Sequence, residues 1–403
     1  MRNGNLPRSS RGFTLVELMV GVMIGLIGTV VIFQVFAVSE GQKRTTTGGS
    51  DAQQNGVFGL FQIERDIRMA GYGINNMQLL GCKINGWFMG TNQPIAFKLV
   101  PVEIMNGVAG APDEIRLAFG NSDLFMAPAH MKADMPTSSA AYKVDNRFGF
   151  TPGDLVVAAQ DGKDCTLAQA TELPGVGASD NVIHNSGNYK NSEGVNVPAD
   201  YNRPSGLPPP NDVRYEEWNP ATGTGGRLYN LGAAPTVVSY AIRNQRLVAI
   251  NSLTPGDPGA TFELADGVVQ LQAQYGYDGD QDGDVASTAP SKVDVDIGNN
   301  TDQWADSMPA AATGTHWARI IAVRLVVTAR SMTPEKRDPG TGLCTATVND
   351  PRWIALAPST IPPGIVLDVR TAFADPTEWQ CYRYRTFEVV VPIRNMVWFP
   401  KET

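Results

Sequence analysis

An uninterrupted apolar run near the amino terminus constrains this chain more than any other feature. From Leu18 to Val38 there are 21 residues without a charge, broken only by Thr29, Gln34 and glycines. As a helix rising 1.5 Å per residue the run is about 31 Å long, enough to cross the hydrocarbon core of a bilayer. The residues ahead of it include Arg2, Arg8 and Arg11 and, before Glu17, no acid. Positive charge before a span places the amino terminus in the cytoplasm and everything after the span on the other side of that membrane.

Two kinds of exported chain begin this way. In one the run is a secretory signal, cut after its apolar part beside small residues. Ala37-Val38-Ser39 offers such a site, and the product would be a secreted periplasmic hydrolase or binding protein beginning at Glu40. Against this stands Glu17, at the very edge of the run. An ionisable residue in a spanning segment costs about 3 kcal/mol and marks function by default. A signal that is discarded has no use for that cost.

After the span comes a polar stretch, 40–56, in which Gly48 and Gly49 predict a kink or local melting of a helix. Helical patterning returns with Val57, Leu60, Ile63, Ile67 and Ala70 on one face, and Gly71-Tyr72-Gly73 ends it. The rest reads as strands and long connections. Gly 41 and Pro 28 together make about 17% of the chain, above the usual roughly 12%. Predicted strands cover 114–119, 154–159, 236–243, 245–250 and 319–330. In the last, Ile321, Val323, Leu325, Val327 and Ala329 alternate with a face containing Arg324, Thr328 and Arg330, predicting an antiparallel strand with one solvated side. Residues 171–235, including Pro208-Pro209-Pro210, predict surface excursions with little regular structure. The fold class is therefore α+β. A helix over 13–71 (18–38 spanning the membrane) packs on one antiparallel β-sheet domain, 72–403, with a loop-rich insertion at about 171–235.

Enzymatic chemistry finds no foothold. His130, His184 and His316 are the only histidines and sit in unrelated contexts. There is no G-x-S-x-G, no H-E-x-x-H and no glycine loop ending in Lys-Ser or Lys-Thr. A net charge of −8 argues against general affinity for nucleic acid or anionic membrane surfaces, so no specific nucleic-acid partner is expected.

The segment Arg11-Gly12-Phe13-Thr14-Leu15-Val16-Glu17-Leu18 resembles the processing motif of type IV prepilins. The resemblance implies that 1–12 is a leader, removed between Gly12 and Phe13 by a prepilin peptidase that then methylates Phe13. Glu17 becomes the fifth residue of the mature chain, where the family places an acid matched by the Phe13 amine of a neighbouring subunit. Gly21 and Gly25 form a small-xxx-small pair that lets another helix approach closely. At the other end, Tyr382-Arg383-Tyr384-Arg385 through Trp398 resembles the closing motif of PilW-type minor pilins, and Tyr275-Gly276-Tyr277-Asp278 is similar to that family too. A pilin-like fold is thus implied, with a role in type IV pilus assembly or priming and a single pass through the bacterial inner membrane. The implied partners are the prepilin peptidase, other minor pilins, the major pilin and a tip adhesin. A type II secretion pseudopilin shares the amino-terminal features and stands as the alternative. Residues from roughly 80 to 235 carry no family resemblance.

Two constellations stay open at this level. Asp278, Asp280, Asp282 and Asp284 have the D-x-D-x-D-G spacing of a calcium loop. Ala289 stands where an EF-hand needs its closing Glu, so a looser Ca2+ site that recruits Asp294 or Asp296 and a solvated hairpin turn are equal readings. Four cysteines, Cys82, Cys165, Cys344 and Cys381, include no C-x-x-C pair and allow three connectivities. Pilins commonly close a carboxyl-terminal loop with a disulfide, which implies Cys344–Cys381 and leaves Cys82–Cys165. Free buried thiols are the other outcome.

Overall fold

The computed structural model describes residues 12–74, 76–122, 128–174, 180–204, 213–279, 303–309, 312–349, 351 and 367–397. One helix, Leu15–Met69, runs for 55 residues, about 83 Å, and carries the body at its far end. It starts at Thr14, whose hydroxyl accepts from the Glu17 amide while the Glu17 carboxylate accepts from the Thr14 amide. This reciprocal cap satisfies two donors that a helix start otherwise leaves unpaired. It stops where Gly71 and Gly73 adopt φ of +86° and +74°, conformations that favour glycine.

The helix continues unbroken through Gly48-Gly49 instead of melting there. Its body-facing side is Gly48, Ala52, Gly56, Gly59, Ile63, Asp66 and Ile67, so Val57, expected on that side, is 48% exposed. Smallness selects the face as much as hydrophobicity does. A Cβ on Gly48 would lie 2.9 Å from Ser331 Cβ, and one on Gly59 2.9 Å from Leu247 Cδ2. On Gly56 it would run into the Phe387 ring. Three of the helix glycines are thus places where sheet meets backbone, and that packing supports an unbroken helix through a weak local sequence.

Two antiparallel sheets grip the helix. One has the order Gln303–Ala305, Val268–Tyr277, Ile320–Arg330, Tyr384–Pro392. The other has the order Thr261–Asp266, Arg246–Asn251, Thr236–Arg243, Glu114–Phe119, Val102–Met105. Between sheets and helix lies the main core, including Ile63, Ile67, Leu117, Leu247, Leu271, Leu325 and Val391. Ile320–Arg330 forms a strand as its alternation predicts, but neither side is solvated. Val323, Leu325, Val327 and Ala329 belong to the helix-side core, while Val326 packs on Leu367. Thr328 bonds Thr386 at 3.0 Å, and Arg324 bonds Gln274 at 3.2 Å and lies 4.7 Å from the Trp304 ring centroid. The polar residues of its second side have partners within the fold instead of water.

A six-stranded sheet is built from the middle of the chain: Gln93–Leu99, Cys82–Phe88, Cys165–Gln169, Leu155–Ala159, Arg227–Gly232, Ala129–His130. Its pairs are antiparallel except for Ile84↔Cys165 and Asn85↔Thr166, which run parallel. One side shares a core with Ala118 and Val237 of the five-stranded sheet, and the other packs on Met131, Tyr142 and Tyr215. Arg227–Gly232 lies inside the stretch predicted to be irregular. Its almost fully buried strand is flanked by Gly and Pro, and that composition hid it. Cys82 is bonded to Cys165, stapling the parallel neighbours, and Cys344 to Cys381, closing a loop beside the last strand.

Asp113 is the buried acid of greatest consequence. Its two oxygens accept from the Gly107 and Ala273 amides, both at 2.8 Å, tying the turn before Glu114–Phe119 to the neighbouring sheet. Burial outweighs those bonds and lifts its carboxyl from the ordinary 3.8 to about 6. A carboxyl raised in the folded state contributes stability that is complete below pH 3.8 and lost as pH rises through 6. The upper bound is about 3 kcal/mol. We expect the stability difference between wild type and Asp113→Asn, measured by urea unfolding, to shrink in wild type's disfavour between pH 4 and pH 7. A pH-independent difference would exclude this group as the source.

Candidate assembly interface

The body takes hold of the helix only from Thr45 onward. Thr45 Oγ1 donates to Glu335 Oε1 at 3.1 Å, and Arg383 Nε donates to the same oxygen at 2.9 Å. Gly48 meets Ser331 one turn later. Everything before that point projects as a bare rod. Phe13 is 89% exposed, and no residue of the apolar window in this helix is buried. A continuous apolar surface of this length cannot remain in water, because each large side chain left exposed forgoes about 1.5–3 kcal/mol of burial. Its environment must be a bilayer or other apolar helices.

Glu17 sits at the mouth of this rod. Its carboxylate accepts from the Thr14 amide and hydroxyl, both at 2.9 Å, and it touches nothing of the body. Thr14 and Glu17 therefore form one polar end, with Phe13, the residue after Gly12, four positions from the acid. The capping role of Thr14 was legible in Thr-x-x-Glu but is overshadowed in the sequence by the processing motif.

Gly21 and Gly25 have open space around their missing side chains. They precede Gly48 and Ala52 by 27 residues each, about seven and a half turns. The half turn puts them on the side of the helix facing away from the body. Val57 and Phe61, 48% and 57% exposed, follow the same two glycines by 36 residues, about ten turns, and so continue that outward side down to the body. This ridge of the lower helix escaped the periodicity reading, which placed Val57 inward.

The remaining predicted residues lie elsewhere. Asp278 is buried at the end of Val268–Tyr277, its amide bonded to the Arg319 carbonyl at 2.9 Å. Asp280, Asp282 and Asp284 are outside the described residues, as are the leader residues up to Arg11, Asp294, Asp296 and Trp398. Tyr382 and Tyr384 lie on the body, Tyr382 with Arg330 4.2 Å from its ring centroid and Tyr384 donating its hydroxyl to Trp379 O at 3.0 Å. Among the described residues, no three His, Cys, Asp or Glu side chains gather as a metal site.

Two family models match the chain. Residues 7–33 match the prokaryotic N-terminal methylation motif, and residues 238–395 match type IV pilus-assembly protein W. The second match takes in all of Ile320–Arg330 and Tyr384–Pro392 and leaves the six-stranded sheet outside it. No curated protein and no solved structure matches the chain.

Proposed function

Because this chain is a type IV pilin of the PilW family, we propose that it serves as a minor pilin that primes or caps pilus assembly. The observation that carries the reading is the bare apolar rod that begins with the methylation motif and ends where the body grips it. In this reading the protein waits in the inner membrane with residues 18–38 across the bilayer and the body, from residue 72 onward, in the periplasm. Prepilin peptidase cuts after Gly12 and methylates Phe13. The subunit is then drawn out of the membrane, and Glu17 meets the new Phe13 amine of a neighbour. That pairing favours docking at one height, since an unmatched carboxylate among packed helices is costly. Gly21 and Gly25, on the outward side, give a neighbouring helix its closest approach, and Val57 and Phe61 extend the contact. Other minor pilins, the major pilin and a tip adhesin are the partners. The segment 278–284 and the six-stranded sheet have no assigned part in this.

Mass spectrometry of the mature amino terminus from host membranes, with and without the prepilin peptidase, tests it. A methylated Phe13 that disappears with the peptidase is expected. An end at Glu40 in both strains would replace the pilin reading with a cleaved signal. The unbroken helix through Ser39 and Glu40 supports the first outcome.

A further inference from the structure

Among the described residues, the last strand leaves one side of its backbone unpaired. Tyr384–Pro392 pairs, among those residues, only with Ile320–Arg330, in a nine-residue register without a bulge, and forms the edge of its sheet. Two bonds fix which way its residues face. The Ile393 amide donates to Ile321 O and the Ser331 amide to Arg383 O, both at 2.8 Å. Backbone groups alternate along an antiparallel strand, so the odd residues from Arg383 to Ile393 face the neighbouring strand. The even ones, Tyr384, Thr386, Glu388 and Val390, point outward. None of these four makes a further backbone bond among the described residues. Pro392, the next outward position, has no amide to offer and closes the free edge, the placement proline adopts on edge strands.

Natural proteins shorten, bend or cover such edges to prevent pairing. Here the opposite edge of the same sheet is the three-residue Gln303–Ala305, while this one is long and regular. Its side chains suit a strand partner. Arg385 and Glu388 are exposed and, among the described residues, make no ion pair or side-chain hydrogen bond, Glu388 lying near enough to the Arg324 guanidinium to favour its charged form. Val390 is 48% exposed between Glu388 and Pro392. The edge strand also lies directly under the helix, where Phe387 fills the space left by Gly56. Around the helix from Gly56 come Leu60 and then Val57, which begins the outward ridge, so edge and ridge border one surface.

We propose that this edge accepts a β-strand from an adjacent pilin subunit, extending the four-stranded sheet across the subunit boundary. The incoming segment alternates, with apolar residues facing the helix flank and a basic residue beside Glu388. The inference rests on the pilin reading and adds to it the surface by which the body, as distinct from the helix, meets a neighbour. Amide bonds give such a contact its strength, and the two charges set its register.

The test uses the full chain in its host, with a photocrosslinking amino acid at Glu388 or Val390 and, separately, the variant Glu388→Pro. Proline removes one outward amide and none from the existing ladder, so the melting midpoint should stay near that of wild type. We expect a crosslink in sheared fibres to a strand of another pilin, mapped by peptide mass. The Glu388→Pro chain should fall in those fibres at least about tenfold. Should the proline unsettle the body, Glu388→Lys, which reverses the charge without touching the backbone, should still lower the crosslink yield from Val390. Wild type present in fibres with no crosslink from either position, or a folded Glu388→Pro present at wild-type level, overturns the edge proposal alone. Wild type absent from fibres and from complexes with other pilins overturns the pilin reading, and the edge proposal with it.

Discussion

Glu17→Ala is expected to leave the body as stable as wild type and to reduce the chain in sheared fibres at least about tenfold, the equivalent of about 1.4 kcal/mol. Stability should hold because Glu17 contacts only Thr14, far along the rod from the first body contact at Thr45. Assembly should fail because the methylated amine of a neighbour would lose its counter-charge among packed helices. Breaking one partner of such a desolvated pair costs roughly 3–5 kcal/mol. Two roles of Glu17 can be separated with Glu17→Gln. Glutamine still closes the cap with Thr14 but carries no charge. Fibre recovery restored by Gln would assign Glu17 to helix capping. Recovery as poor as with Ala would assign it to charge pairing, the expected result.

The second large effect concerns the seam between helix and sheet. Gly56→Val should destabilise the full-length chain in detergent by about 1–3 kcal/mol, read as a lower midpoint of thermal unfolding. The added carbon would stand inside the contact distance of the Phe387 ring, with Ala329 Cβ behind it at 3.3 Å. Gly49→Ala is the control. Nothing lies within 4 Å of its missing Cβ, so the substitution should stabilise by about 1 kcal/mol through helix propensity alone. Equal effects of the two changes would mean that the sheet does not approach the helix as closely as described.

The amino-terminal helix was legible because its signal is local: a charge-free run and a stop at Gly-x-Gly need no tertiary context. Strands Glu114–Phe119 and Thr236–Arg243 coincide with the residues their patterns predict, and neighbouring strands start or end within a residue of expectation. What stayed hidden depends on neighbours. Gly48, Ala52, Gly56 and Gly59 recur at four, four and three residues, a helical period, but a scale that seeks large apolar side chains passes over them. Arg324 and Thr328 looked solvated because a sequence does not show that Trp304 and Thr386 will meet them. Arg227–Gly232 was masked by its flanks. The six-stranded sheet pairs Ile84 with Cys165 and Leu228 with Ala129, 81 and 99 residues apart, and no short pattern reports such pairing.

The seam also decides how the molecule bears tension. If the chain is a fibre subunit, as proposed, pulled through its rod while neighbours hold its body, load would enter along the helix axis. From Gly48 to Ile67 the helix lies side-on to the sheets, and at its far end Asn395 donates to the carbonyls of Met69 and Ala70. Such a load would act along about five turns of interlocked surface at once instead of opening them one by one. Contacts that must break together resist far more than contacts that peel. The glycines that weaken this helix as an isolated peptide let the body grip it closely enough to hold under pull.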